Sequence, residues 1–469
     1  MNPRVFREYD IRGVADRDFP DDFVTDLGKA IGTFLLDGGA RTMTLGRDCR
    51  VHSPRIHGAL RAGLLSTGID VIDVGILHSP GLYFSVFHLG VEGGVMVTAS
   101  HNPSEDNGFK IVQGKSTIHG AAIQKLREII ETRAFRAPAR PGNVRPREIL
   151  GDYVATVADN ITLGPRRFKV VVDAGNGTGG LSMLPILERL GIVYDAIYCD
   201  PDGRFPNHHP DPTVPANLED LRARVLATGA ELGLALDGDA DRIGAVDGRG
   251  RIIWGDQLVM LFAREILGRR PGATFVSEVK CSQALYDEIG RLGGRAIMWK
   301  VGHSLIKVKM KEEQAALAGE MSGHMFFSDR WFGFDDAVYA GARLVELLTR
   351  SPQTLAELYD TLPALHNTPE IRMPCPDDVK FEVVRRAVTE FRADHPVVDI
   401  DGARVSFEGG WGLVRASNTG PVLVLRFEAD SAQRLGEIRT AMETRLQRLI
   451  ADVGRGGVSA AGLTPGGHG

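Results

Sequence analysis

The chain has 469 residues, 43% of them hydrophobic and 25% charged, with a formal net charge of −5 at pH 7. That length suggests about three domains at ~150 residues each, and the mild acidity argues against a nucleic-acid or membrane-surface protein. No run reaches the ~18 apolar residues of a membrane span. The start (Arg4, Arg7, Glu8, Asp10) has no apolar signal region, and the cysteines, Cys49, Cys199, Cys281 and Cys375, lie far apart without a CxxC pair. The expectation is a cytoplasmic protein with neither a disulfide framework nor a zinc site.

Strand-like and helix-like runs alternate along most of the chain. Residues 42–45 read as a strand, 53–67 as a helix and 71–74 as the next strand, the βαβ rhythm of parallel sheets covered by helices. The apolar run 93–97 ends in Thr98-Ala99-Ser100-His101-Asn102-Pro103. Small residues followed by Asn-Pro force a turn, which exposes Ser100 at the mouth of a strand. Lys110, after Asn107-Gly108, is placed on the following turn, either as a surface lysine or as a general acid or base. His101 reads better as a hydrogen-bonded structural histidine. The proline-rich stretch 134–146 reads as a linker.

A second unit begins with the strand 169–173. Gly175 to Gly180 matches the G-x-G-x-x-G dinucleotide fingerprint, with Asp195 about twenty residues on. It lies outside the first unit and nothing else suggests a hydride acceptor, so a tight strand-to-helix turn is the preferred reading. His208-His209, pinned between Pro206 and Pro210, reads as structural. After the strand 232–236 comes Asp237-Gly238-Asp239-Ala240-Asp241-Arg242. Three carboxylates at alternate positions repel one another unless a cation holds them, and an all-oxygen set suits Mg²⁺. A solvated acidic turn is the plain alternative. An EF-hand is excluded, because Arg242 and Gly248 stand where that loop needs Gly and Glu.

A third unit starts near residue 251, with strands at 274–276 and 296–298, and contains Gly319-Glu320-Met321-Ser322-Gly323-His324. On an extended loop Glu320 and Ser322 face one side, suited to neighbouring sugar hydroxyls. The last stretch has a helix at 377–392, short strands at 397–399, 404–407, 412–416 and 422–427, and a helix at 432–453, an α+β pattern. Arg415-Ala416-Ser417-Asn418-Thr419-Gly420-Pro421 offers donors for a phosphate. The expected domains are 1–146, 147–251, 252–363 and 364–454, with a disordered tail at 455–469.

Glu8-Tyr9-Asp10-Ile11-Arg12-Gly13, the serine loop, the acidic loop, the 319–324 loop and the 415–421 loop together resemble the α-D-phosphohexomutase superfamily, in its bacterial phosphomannomutase/phosphoglucomutase branch. The resemblance spans the chain to about Gly454. It implies three tandem mixed α/β domains around a central cleft and a smaller C-terminal α+β domain. It further implies a phosphoserine at Ser100, and Mg²⁺ on Asp237, Asp239, Asp241 and the serine phosphate. Glu320 and Ser322 would hold sugar hydroxyls, and Arg415, Ser417, Asn418 and Thr419 the phosphate that is not reacting. Tyr9, Arg12, Lys110, Arg242, Lys280, His303 and His324 match cleft-lining positions, with Lys110 and His324 as candidates for proton transfer.

The activity implied is a mutase interconverting α-hexose 1-phosphates and 6-phosphates through a hexose 1,6-bisphosphate. Its partners would be small hexose phosphates, with glucose 1,6-bisphosphate as activator and a monomer or small homo-oligomer as the assembly. Phosphoglucosamine mutase, a nucleotide-dependent oxidoreductase on the Gly175 loop, and a non-catalytic sugar-phosphate sensor are the alternatives. Three positions depart from the family pattern: His78-Ser79-Pro80, Asp106 and Cys49. None of them is expected to touch the phosphoryl chemistry.

Overall fold

The computed structural model of the chain describes residues 2–417 and 420–460, the stretch 454–460 as backbone only. The chain divides into two compact units. The first comprises Met1–Ser277, Leu285–Ile297 and Gly302–Leu362; the second comprises Glu278–Ala284, Met298–Val301 and the chain from Pro363 onward.

Three sheets succeed one another in the first unit. The first is built from β1 (Ile11–Val14), β2 (Thr42–Arg47), β3 (Asp70–Ile76), β4 (Gly93–Val97), β5 (Asp106–Gln113), β6 (Ser116–Thr117) and β7 (Val144–Pro146), in the order β1-β5-β4-β2-β3-β7 with β6 beside β5. Its middle is parallel (β4-β2-β3) and its β1-β5-β4 side antiparallel. Every residue of β4 is buried, as a strand covered on both faces requires. Met43, Leu45, Val95 and Val97 pack there with Leu27, Ile31, Leu60 and Leu64 from the helices Asp21–Asp37 and Ser53–Ser66.

The second sheet contains β8 (Lys169–Asp173), β9 (Val193–Ile197), β10 (Leu232–Leu236), β11 (Ile243–Asp247) and β12 (Ile252–Ile253), ordered β12-β11-β10-β8-β9. The third contains β13 (Thr274–Glu278), β14 (Arg295–Trp299), β15 (Leu317–Gly319) and β16 (Met325–Phe327), ordered β14-β13-β15-β16. In the second unit β17 (His366–Asn367), β18 (Ile371–Pro374), β19 (Val397–Val398), β20 (Ala403–Phe407), β21 (Gly410–Ala416) and β22 (Val422–Ala429) form an antiparallel sheet. Val405, Val414, Leu425 and Phe427 face Val383 and Phe391 of the helix Lys380–Arg392 and Ile438 and Met442 of the final helix. The α/β then α+β sequence pattern therefore corresponds to these four sheets.

Several local expectations change. The supposed linker ends in a strand, β7, because the chain at Val144–Pro146 runs parallel along β3, and Pro146 is tolerated there at the sheet edge. Ile252 and Ile253, assigned from sequence to the third unit, pair with β11 and close the second sheet. Lys110 lies within β5 rather than on a turn, since the strand resumes directly after the Pro103 turn. The final helix runs Ala432–Ala460, so residues 455–460 continue a helix in spite of their glycines. An established helix propagates by one hydrogen bond per added residue. The rest of the expected tail lies outside the described residues.

Candidate active site

At the end of β4 the chain turns sharply, with Ser100 in the left-handed region at φ 52°. For a residue with a side chain this costs roughly 1–2 kcal/mol. The Ser100 N–H donates to Thr98 Oγ1 at 2.9 Å, and Asn102 N–H to Ala99 O at 2.9 Å, which fixes the turn. The result aims the buried Ser100 hydroxyl at Asp237, donating to Oδ2 at 2.6 Å. His101 Nδ1 stands 3.1 Å from the same oxygen. Burial, with the charges of Arg242 and Arg12, keeps the His101 ring well below its ordinary pKa and hence neutral.

The acidic loop joins β10 to β11 and is buried at all three carboxylates. Asp237 Oδ1 accepts the N–H groups of Asp241 and Arg242 at 2.9 and 3.1 Å, which curls the loop around its own first residue. Gly238 is required by close approach: a Cβ there would lie 2.4 Å from the Ser100 carbonyl oxygen. Burial, reinforced by the charges of Asp241 and Asp239, pushes the Asp237 carboxyl well above the usual range. Asp241 goes the other way, because Lys110 and His324 overcome the cost of its burial.

These residues fit a hard divalent cation. Asp239 Oδ1 is a buried oxygen with no hydrogen-bond partner among the described residues, Asp241 Oδ1 faces only His324 Nε2 at 3.3 Å, and the three carboxylates bring ligand atoms within 4.8 Å of one another. An oxygen-only donor set suits Mg²⁺.

Lys110 reaches this cluster from β5, pairing with Asp239 at 2.6 Å and also with Asp241. Burial opposes its charge, but the two aspartates more than compensate, so its pKa lies well above the ordinary value. His324 is similar. Burial disfavours its imidazolium, yet Asp241 at 3.3 Å and Glu320 at 2.6 Å raise the ring to about 9.

The 319–324 segment is a tight hairpin turn between β15 and β16, with Gly323 N–H donating to Glu320 O at 3.0 Å. Glu320 and Ser322 thus lie on a tight turn rather than on the extended loop the sequence suggested, with Glu320 Oε2 2.6 Å and Ser322 Oγ 3.5 Å from His324 Nδ1. Gly323, at φ 93°, would place a Cβ 2.3 Å from Ile243 O, and the Ile243 N–H donates to Gly323 O at 3.0 Å. This close seam fastens the turn to the acidic loop, where Arg242 and His324 form a β-bridge. Glu320 Oε1 accepts the Gly302 N–H at 2.9 Å. His303, beside it, faces Asp335 at 3.3 Å and has ring contacts with Tyr9 and His324. Arg12 pairs with Asp10 at 2.6 Å and donates to Asn102 at 2.6 Å, the residue two positions past the serine.

Ser100, Lys110, Asp237, Asp239, Asp241, Arg242, Glu320, Ser322, His324, His303, Tyr9 and Arg12 thus all belong to the first unit. Lys280, Arg415 and Ser417 belong to the second. There Arg415 pairs with Asp401 at 3.2 Å, and Lys280 lies 3.5 Å from Glu370. Asn418 and Thr419 lie outside the described residues.

Sequence reasoning missed Ser79, set apart as a departure without bearing on the chemistry. Its hydroxyl donates to Asp239 Oδ2 at 2.5 Å and its N–H to Asp239 O at 2.9 Å. His78 caps the helix Ser79–His88, Nδ1 accepting the Gly81 N–H, with Nε2 on Ser182. The glycines of the Gly175 turn are accounted for by close packing: a Cβ on Gly177 would meet Gly238 O at 2.6 Å, and one on Gly180 would meet Cys199 O at 2.5 Å. His208 is held by Asp173 at 3.0 Å, a structural contact.

Four family profiles match in succession, described as phosphoglucomutase/phosphomannomutase alpha/beta/alpha domains I, II and III, over residues 3–137, 151–250 and 254–365, and the C-terminal domain, over 370–445. A phosphomannomutase/phosphoglucomutase of Pseudomonas aeruginosa is 45% identical over 446 residues, covering 95% of this chain and 96% of that protein. The crystal structure of a phosphoglucomutase/phosphomannomutase family protein from Burkholderia thailandensis superposes with a TM-score of 0.89 at 41% identity, covering 96% of this chain and 98% of that one. More distantly, N-acetylphosphoglucosamine mutase of Aspergillus fumigatus, solved with GlcNAc-6P and magnesium, shares the fold at a TM-score of 0.62 and 14% identity, covering 94% of this chain and 95% of that one. With matches along nearly its whole length and an identity this high, the chain belongs to the phosphoglucomutase/phosphomannomutase family and is a phosphohexomutase, an isomerase.

Proposed function

We propose that Ser100 carries the exchanged phosphoryl group, donating it to O6 or O1 of a bound hexose phosphate and recovering the other phosphate from the resulting 1,6-bisphosphate. The observation that carries this reading is the buried Ser100 hydroxyl 2.6 Å from Asp237, on a residue held in the left-handed region at φ 52°. In each half-reaction the bond from phosphorus to Ser100 Oγ breaks and one to a sugar oxygen forms. The proton lost by the sugar hydroxyl is matched by the one Ser100 regains.

Asp237, Asp239 and Asp241 would hold Mg²⁺, whose charge offsets that of the phosphoryl oxygens. Arg242 adds a second fixed cation beside them. Lys110 and His324 stand against the acidic loop, where each can supply a proton to an oxygen losing its phosphoryl group and take it back in the reverse direction. Tyr9, Arg12, His303, Glu320 and Ser322 serve as substrate contacts in the first unit, and Lys280, Arg415, Ser417, Asn418 and Thr419 as contacts to the idle phosphate. The hexose 1-phosphates and 6-phosphates of glucose and mannose are the substrates, with glucose 1,6-bisphosphate restoring any serine that has lost its phosphate. The four free cysteines are in keeping with a reducing cytoplasm, and no helix among the described residues is long and apolar enough to cross a membrane. Domain limits at 146 and 363 complete this reading, with Ile252 and Ile253 counted in the second domain.

The test is peptide-level mass spectrometry after incubation with glucose 1,6-bisphosphate, alongside a coupled assay on glucose 1-phosphate and mannose 1-phosphate. Phosphate on the Ser100 peptide, and a Ser100→Ala protein that binds sugar phosphate without turning it over, are expected. Full turnover by Ser100→Ala would exclude the carrier role.

A further inference from the structure

Arg50 stands outside the motifs that mark the site, yet it is wholly buried, at 0% exposure, and commits its donors to the serine turn. Nη1 donates to Pro103 O at 2.5 Å and Asp106 O at 2.9 Å; Nη2 donates to Ser100 O at 2.8 Å and Asn102 O at 2.7 Å. Nε lies 3.2 Å from Asp48 Oδ2, a buried counter-charge whose Oδ1 accepts the Arg50 N–H. Carbonyl groups from four residues of one turn therefore converge on a single cation. Only a guanidinium presents enough donors in one plane to do this, and such charge-assisted bonds are roughly twice as strong as neutral ones. With its carbonyl turned inward to Arg50, Ser100 has its hydroxyl directed outward to Asp237.

The other side of Arg50 is covered by the segment that precedes the acidic loop in the second sheet's domain. The Phe205 ring centroid lies 5.1 Å from the guanidinium carbon, and a Cβ on Gly203 would meet the Arg50 Cα at 2.4 Å. Phe205 is itself left-handed, at φ 49°, an unusual conformation for a bulky residue that persists only where its surroundings impose it. The Ser100 carbonyl is thus gripped between Arg50 and Gly238.

We propose that Arg50 is a positioning residue for phosphoryl transfer, presetting the serine turn so that Ser100 Oγ faces the acidic loop, with Phe205 seating the guanidinium. This rests on Ser100 being the phosphoryl carrier. It differs from a role in stability alone, because the cost falls on the transfer step and not on sugar-phosphate binding.

Arg50→Lys keeps the charge but loses the planar fork. The expected result is a kcat lower by roughly 10- to 100-fold with KM for glucose 1-phosphate unchanged, and an equal slowing of phosphate exchange between Ser100 and labelled glucose 1,6-bisphosphate. Phe205→Leu preserves an apolar cover without the ring face and should lower kcat by roughly 3-fold or more, again at constant KM. If Arg50→Lys does not fold, as judged by circular dichroism, Phe205→Leu decides. Unchanged kcat and exchange in the folded variants would overturn the role of Arg50 while leaving that of Ser100 intact. A wild-type protein that never acquires phosphate on Ser100, even after incubation with the bisphosphate, would overturn the carrier reading and this one with it.

Discussion

The Ser79 hydroxyl donates to Asp239 Oδ2 at 2.5 Å, joining two residues 160 positions apart. The first helical residue after the His78 cap therefore orients a carboxylate of the acidic loop, leaving the opposite oxygen, Oδ1, free of hydrogen bonds among the described residues. Partners of this kind typically govern metal affinity more than the reaction itself. Ser79→Ala should raise the Mg²⁺ concentration for half-maximal activity by roughly 10-fold, with little change in kcat at saturating Mg²⁺. A titration showing the same half-saturation as wild type would refute this.

Gly238→Ala tests the close approach of the acidic loop to the serine turn. The added methyl would sit 2.4 Å from the Ser100 carbonyl oxygen, so the turn must shift by a good fraction of an ångström. Misplacement on that scale costs transfer rates roughly 100-fold, whereas sugar-phosphate affinity should hardly move. The comparison of kcat with KM in steady-state assays is the check.

Arg415→Ala removes the cation that Asp401 orients in the second unit. If this side chain grips the idle phosphate whichever end of the sugar reacts, the 1-phosphate and the 6-phosphate should lose affinity together, by roughly 10- to 100-fold. Calorimetry with each isomer separately reads the effect. Weakening of one isomer alone would contradict a shared clamp.

His78 makes stability depend on pH. Burial lowers its pKa to about 3, against about 6.5 in an unfolded chain. Between those values the unfolded state binds the extra proton and the folded state does not. The stabilisation is complete above the unfolded value and is lost as pH falls through this window. Nδ1, which accepts the Gly81 N–H, cannot do so once protonated. His78→Asn keeps a capping acceptor without titrating, so the loss of unfolding free energy between pH 6.5 and 5 should shrink by about 2 kcal/mol. Urea unfolding at the two pH values, wild type against variant, measures it.

What was legible in the sequence was whatever its neighbours along the chain define. The acidic trio announces itself because alternate carboxylates in a short loop need an explanation on the spot, and Ser100 because Asn-Pro must bend the chain. The succession of sheets followed from strand and helix alternation. Arg50 gave no such signal, since its hydrogen-bond acceptors lie some fifty positions away, and Ser79 none, since its acceptor lies farther still. Lys110 gave no sign of its charge partners for a related reason. Its elevated pKa comes from Asp239 and Asp241, brought alongside only by the folding of two separate sheets. The strand at Val144–Pro146 was concealed by prolines that a sheet edge tolerates.

The Ser100 hydroxyl and the aspartate it addresses are 137 residues apart. A polypeptide leaving the ribosome amino end first presents its serine well before the acidic loop has been synthesised. Until residues 237–241 emerge and dock, that hydroxyl is an ordinary alcohol in a half-made protein. The pairing of Ser100 with Asp237 is therefore a late event in biosynthesis.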